Sequence, residues 1–294
     1  MPEPVILVTG ANGQLGAAIR SLSSLYQQFQ FVFLTKEDLP IHRFDLVQQY
    51  FEKTLPAFCI NCAAYTAVDR AETERDLAMQ INAEAVGILA GVCKAFNTKL
   101  IHISTDYVFD GTATVPYRED SITHPVNYYG ATKLRGESLC VEHNSESIII
   151  RTSWVYAEYG NNFVKTMIRL MKERSSLNVV NDQFGSPTYA IDLAKLLLDI
   201  IAGSKTGKTT WTPGIYHYSN EGIISWYDFA TAIKELTQSN CLVHPVPTAL
   251  YPTPAKRPAW SVMDKGKIKS VYHVVIPAWR QSLAVCISHL QHTP

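Results

Sequence analysis

Short apolar runs recur along the first half of the chain. Between them lie stretches whose apolar residues repeat at three and four positions. Val5-Ile6-Leu7-Val8-Thr9 is the first run, closed by Gly10. Phe31–Thr35, Phe58–Cys62, Leu100–Ser104 and Ile148–Arg151 follow it. These runs are apolar throughout rather than alternating, which predicts strands covered on both sheet faces. The intervening spacing predicts helices over 14–25, 46–55, 75–95 and 128–143. Strand and helix alternating in this way predict right-handed crossovers and an α/β fold built on a doubly wound parallel sheet.

After Trp154 the rhythm loosens. Helices are predicted over 162–174 and 191–202, and brief strands over 178–181 and 215–218. The polar stretch from Gly203 to Lys208 reads as an exposed loop. Residues 245–260 carry five prolines and no clear period, which predicts a loop wrapped over a site rather than a linker. No internal repeat is visible.

Composition narrows the function classes. A chain of 294 residues with 47% hydrophobic residues can bury a core without disulfide or metal staples. Lys plus Arg and Asp plus Glu both number 26, which argues against a binder of nucleic-acid backbone and against an acidic disordered chain. No apolar run approaches the ~18 residues of a membrane helix. Met1-Pro2-Glu3-Pro4 lacks the basic start and apolar core of a signal peptide. A cytoplasmic protein with no nucleic-acid or membrane partner is expected. Six cysteines are scattered, and only Cys59 and Cys62 form a C-x-x-C. With no second close pair and an apolar setting, they are expected to be small buried hydrophobes, and no metal site is expected.

Gly10-Ala11-Asn12-Gly13-Gln14-Leu15-Gly16 stands between the first strand and first helix. Glycines at such a turn allow a backbone to approach a pyrophosphate closely, and the helix start presents free N–H groups to it. The spacing is G-x-x-G-x-x-G, so its placement carries more weight than the motif. A reader of a ribose 2′-hydroxyl would place an acid at the end of the second strand. Here that strand ends Thr35-Lys36, with Glu37 and Asp38 just beyond. A lysine and a hydroxyl suit a 2′-phosphate, so NADPH is favoured over NADH. Without a ligand, Lys36 is a solvated charge.

Tyr129-Gly130-Ala131-Thr132-Lys133 is the chain's one Y-x-x-x-K. Its spacing puts phenol and ammonium on one helical face, where the cation should lower the phenol's pKa from about 10. Chance alone supplies about one such pair in a chain of this composition, so context decides. The pair follows a strand ending Ser104-Thr105-Asp106, and ligands of open α/β sheets bind beyond the strands' carboxyl ends. Thr105 then reaches the same cleft and can polarise a carbonyl oxygen. Outside a cleft, Thr105 reads as a turn cap and Asp106 as a turn former.

Taken together these motifs resemble the extended short-chain dehydrogenase/reductase superfamily. A finer likeness is to the dTDP-4-dehydrorhamnose reductase family. It is carried by Ala63-Ala64-Tyr65-Thr66-Ala67-Val68-Asp69, His102-Ile103-Ser104-Thr105-Asp106-Tyr107-Val108-Phe109-Asp110-Gly111, and Arg151-Thr152-Ser153-Trp154-Val155-Tyr156. Asn161–Met167 and Asp182–Thr188 extend it, with a weaker echo at Arg257-Pro258.

The resemblance implies a Rossmann-like NAD(P)-binding domain over 1–154, with returning segments near 178–203 and 215–218. Residues 155–294 would form mainly a smaller, interleaved sugar-nucleotide domain. It implies reduction of dTDP-4-dehydro-β-L-rhamnose to dTDP-β-L-rhamnose by hydride from NAD(P)H. Tyr129 would be the proton donor, Lys133 its partner and the holder of the nicotinamide ribose, and Thr105 the carbonyl contact. Beyond the glycine turn (Gly10, Asn12, Gly13, Gln14, Leu15, Gly16) and Lys36, cofactor contacts are implied at Asp45, Leu46, Ala63, Ala64 and Tyr65. Asp106, Trp154 and Arg257 are implied to meet substrate; packed into a core instead, Trp154 would be structural. Ala17-Ala18 and Ile191 stand where some members carry the acids of a magnesium-linked dimer. A monomer or weak homodimer without metal is therefore expected. Alternatives are a reductase of another nucleotide-linked 4-keto-6-deoxy sugar, a non-catalytic NADP-binding regulatory subunit, or a nucleotide-sugar epimerase.

Overall fold

The computed structural model describes residues 3–292; Met1 and Pro2, part of the leader reading above, lie outside the described residues. Val5–Thr9 (β1), Gln14–Leu22 (α1), Gln30–Leu34 (β2), Phe44–Thr54 (α2) and Phe58–Asn61 (β3) open the chain. Arg75–Met79 (α3), Ala85–Ala95 (α4), Lys99–Thr105 (β4), Tyr128–His143 (α5) and Ile148–Thr152 (β5) continue the alternation. The second half holds Val155–Tyr156 (β6), Phe163–Glu173 (α6), Ser176–Val180 (β7), Phe184–Gly185 (β8), Thr188–Tyr189 (β9) and Ala190–Thr206 (α7). Gly214–His217 (β10), Ile224–Ser225 (β11), Trp226–Leu236 (α8), Leu242–Val246 (β12), Gly266–Tyr272 (α9) and Trp279–His292 (α10) complete it.

Six strands form one parallel sheet in the order β2-β1-β3-β4-β5-β10. This is the doubly wound Rossmann-like arrangement expected. Period-two alternation sorts the strand residues onto two covered faces. Ile6, Val8, Ile60, Ile101 and Ile150 pack against α1 and α7. Leu7, Cys59, Leu100 and Ile149 pack against α2, α4 and Cys140 of α5. Toward the carboxyl ends the second face turns polar, through Thr9, Asn61, His102, Ser104 and Arg151, all buried.

A second cluster is made by α6, β7, α8 and α10 around Tyr156, Tyr189 and Phe229. The chain threads between the two: α7 and β10 belong to the large sheet's layers, while α8 and α10 return to the small cluster. The strand expected near 178–181 forms as β7, but it pairs with β12 rather than joining the large sheet. The returning segment therefore starts at α7, not at 178. That helix runs on to Thr206 through part of the polar stretch expected as a loop, and Gly207 ends it at φ +72°.

The helix expected over 75–95 is interrupted by a π-turn at Gln80–Glu84. Asn82 explains it. Its amide bonds the backbone N–H and carbonyl of Tyr65 and the hydroxyl of Thr132. Its carbonyl presses on Gly136, where a Cβ would lie 2.0 Å away. By length and hydropathy Arg75–Ala95 could cross a membrane, contrary to the expectation that no run comes near. Of its apolar 18-residue window, 56% is buried inside the protein.

Candidate active site

β1 pairs with β2 on one side and β3 on the other, so the connections leaving these strands diverge at their carboxyl ends. Ligands of such sheets bind at this switch point. A cavity of about 1120 Å³ opens there, larger than the roughly 300–1,000 Å³ of a pocket for one small ligand. Gly10, Asn12, Gly13, Gln14, Leu15, Gly16, Lys36, Ala63, Ala64, Thr105, Asp106, Tyr129, Lys133 and Trp154 all line it.

Close packing makes the glycine turn. Gly10 has φ +66°, and a Cβ there would fall 2.6 Å from the Ala63 nitrogen. A Cβ on Gly16 would fall 2.6 Å from the Gly10 carbonyl oxygen. Gly13 stands at the start of α1 with no side-chain cap and no acid in the first turn. The bare backbone, the uncapped helix start and its positive dipole end fit a dinucleotide pyrophosphate. Gln14 braces the turn against the other half of the cleft, donating to the Val155 carbonyl and accepting from Asn162. Lys36 is exposed and pairs with Glu37 at 3.7 Å.

Opposite the turn, α5 carries Tyr129 and Lys133. Asn127 caps this helix by accepting from the Gly130 N–H at 2.8 Å. The Tyr129 ring stands edge-on to Tyr107, 5.7 Å between centroids. Burial pushes its phenol up to about 12, with the neighbouring Thr105 hydroxyl pulling the other way and the Asp106 charge adding to the rise. The expectation that Lys133 lowers this phenol is not met in the structure. The Lys133 Nζ instead donates to the Ile103 carbonyl at 2.6 Å. Burial also brings Lys133 down to about 8.

Thr105 donates to Asp106 Oδ1 at 2.9 Å and accepts from the Tyr107 N–H, so it does cap the turn while facing the cavity. Asp106 is buried, its carboxyl raised to about 6 by desolvation against the help of the Ser261 and Thr105 hydroxyls. Its Oδ2 has no hydrogen-bond partner of good geometry among the described residues. An orphaned buried acceptor at a cavity wall suits a ligand hydroxyl. Trp154, at φ +48°, stacks on Trp226 with 3.6 Å between centroids, and both rings line the cavity.

Four expected contacts lie away from this wall. Asp45 pairs with Arg43 in solvent, and Leu46 packs on the α2 side of the core. Tyr65 is buried with its hydroxyl donating to Glu74. Arg257 makes a two-pronged pair with Asp69, the second contact at 2.9 Å. This contact pins the proline-rich segment over the loop after β3. Asn127 and Asp182 hold it at Lys256 and Thr248.

The RmlD substrate binding domain family matches the chain over residues 4–292. The chain belongs to this family. It is 42% identical over 284 residues to a dTDP-4-dehydrorhamnose reductase of Aggregatibacter actinomycetemcomitans, covering 95% of this chain and 96% of the relative. A dTDP-4-dehydrorhamnose reductase of Burkholderia thailandensis is 40% identical, covering 97% and 98%. Among solved structures, the Bacillus anthracis dTDP-4-dehydrorhamnose reductase in complex with NADP superimposes with a TM-score of 0.93 at 38% identity, covering 98% of this chain and all of that one.

Within this RmlD-type site, reading the sequence missed several wall residues. Trp226 opens α8, a helix that was not predicted although Ser225-x-x-Asp228 forms a capping box there. Tyr107, Leu77, Gln80 and Ile81 also line the cavity. Tyr107 sits in the short turn after β4, inside the stretch that carries the resemblance but without a role read there; Leu77 on α3 and Gln80 and Ile81 on the π-turn carry no motif of their own.

Proposed function

We propose that this chain reduces the C4 keto group of dTDP-4-dehydro-β-L-rhamnose to give dTDP-β-L-rhamnose, with NADPH as the favoured donor and NADH as a possible one. The observation that carries this reading is one cavity with a bare glycine turn on one wall and Thr105, Tyr129 and Lys133 on the other. The relatives' named activity, at up to 42% identity over nearly the whole chain, supports the choice of substrate.

Reduced nicotinamide, when bound, supplies the hydride for C4. Tyr129 then gives its proton to the new alkoxide. A phenol held up to about 12 is protonated throughout the neutral range, which suits a donor in the reductive direction. Thr105 can contact the carbonyl oxygen, and Asp106 can take a sugar hydroxyl on Oδ2. Lys133 offers its remaining protons to ribose hydroxyls. Trp154 and Trp226 present a flat apolar wall to a sugar or base.

Incubating the protein with the keto sugar and each reduced nicotinamide, while following their absorbance, tests the proposal. Consumption matched by formation of the C4 alcohol is the expected result. Oxidation with neither donor would refute it, and faster turnover of another nucleotide-linked 4-keto sugar would reassign the substrate.

A further inference from the structure

Sheet register places Thr9, Asn61 and His102 side by side on three adjacent strands, and all three are buried. The Asn61 Oδ1 accepts from the Thr9 hydroxyl at 2.7 Å and from the Ala63 N–H at 3.2 Å. A backbone N–H can only donate, so the amide's orientation is fixed and its Nδ2 faces His102. That Nδ2 lies 3.1 Å from the His102 Nδ1. An amide nitrogen also can only donate, so Nδ1 is the acceptor. Burial and the Lys133 charge hold the imidazole well below its usual range, so the ring is neutral and its single proton sits on Nε2. The Nε2 lies 3.5 Å from Lys133 Nζ. An N–H aimed at an ammonium sets donor against donor. The ammonium's inward bond goes instead to the Ile103 carbonyl.

We infer that His102 is a positioning residue for Lys133: its Nε2–H bars the charged amine from turning inward, leaving two ammonium protons for the cleft, and offers the neutral amine a bond that draws it back. The inference rests on the proposed role of Lys133 and goes beyond it, because no step of that chemistry uses His102. Other titratable groups facing Lys133 are Glu137 and Cys140 from its own helix and Cys62 after β3; all three favour the cation. Burial opposes them and leaves Lys133 near 8, so the two states exchange in an accessible range.

Two measurements on the full-length protein test this. Long-range proton–nitrogen NMR of ring-labelled histidines, with His102→Leu identifying the signal, should find the proton on Nε2; a proton on Nδ1 would overturn the inference. The second is the pH profile of kcat/KM and of NADPH affinity in His102→Leu and Asn61→Asp. The first variant removes the opposing donor. The second draws the ring proton to Nδ1 and turns Nε2 into an acceptor. Both should move the alkaline fall to higher pH by about one unit, a roughly tenfold gain at the alkaline end relative to each variant's own neutral value. An unmoved profile in both, while Lys133→Met has lost turnover, refutes the role of His102 alone. Wild-type turnover in Lys133→Met would remove the proposed active site and this inference together. Should His102→Leu fail to fold, Asn61→Asp and the wild-type spectrum against the other histidines still decide.

Discussion

Removing the Glu137 carboxylate should cost far more than an ordinary salt bridge. Glu137 and Arg151 are each 3% exposed and meet through two bonds, at 2.9 and 2.7 Å. Ser104 donates to the same carboxylate at 2.5 Å. The next polar group on the guanidinium is the His217 Nε2 at 3.5 Å, and burial and the Arg151 charge push that imidazole down to about 3, so it brings no compensating charge. In Glu137→Leu the guanidinium is left buried and unpaired, a loss of about 3–5 kcal/mol. That is a large share of the roughly 5–15 kcal/mol that holds such a protein folded. Glu137→Leu with Arg151→Leu removes both charges and should return to within about 1–2 kcal/mol of the wild type, the remainder reflecting lost bonds of Ser104 and His217. Urea unfolding of the wild type, Glu137→Leu, Arg151→Leu and the double variant gives the coupling energy directly. A single variant costing under about 1 kcal/mol, or a double variant no better than the single, would refute burial as the source of the effect.

The catalytic wall and the turn give further expectations. Tyr129→Phe should lower turnover by roughly 10²–10⁴ while leaving NADPH affinity nearly unchanged; stopped-flow and fluorescence titration separate the two. Gly10→Ala forces a side chain into positive φ against the Ala63 backbone and should lose about 2–4 kcal/mol of stability by urea denaturation, together with NADPH binding. Asp106 binds its proton more tightly when folded, near 6 against an ordinary 3.8. Its contribution is therefore favourable below the unfolded value and is lost as pH rises through about 6. Asp106→Asn should gain stability relative to the wild type, by roughly 2–3 kcal/mol, between about pH 4 and pH 7; a constant difference across that range would contradict the buried carboxyl.

The parallel sheet was legible because each core strand announces itself locally, and α5 matches its predicted span because Asn127 and the polar tail after His143 bracket it. The glycine turn and the Tyr129–Lys133 pair were legible for the same reason: their spacing is short. What escaped depends on partners far along the chain. Asn82 breaks a helix through bonds to Tyr65 and Thr132. Asp69 takes Arg257 from a segment nearly two hundred positions away. The phenol's protonation followed burial rather than its neighbouring lysine, and burial is a property of the assembled cleft. Asp45 and Lys36 sit in solvent, where the identity of a side chain says little about its occupation.

A crystal structure with NADP and dTDP-rhamnose bound together tests the central claim most directly. The account predicts the sugar's C4 oxygen at about 2.6–3.2 Å from both the Tyr129 hydroxyl and the Thr105 hydroxyl, with the nicotinamide C4 on the facing side of the ring. A sugar C4 lying out of hydrogen-bond reach of Tyr129, or a pyrophosphate away from the turn at Gly10–Gly16, would contradict it.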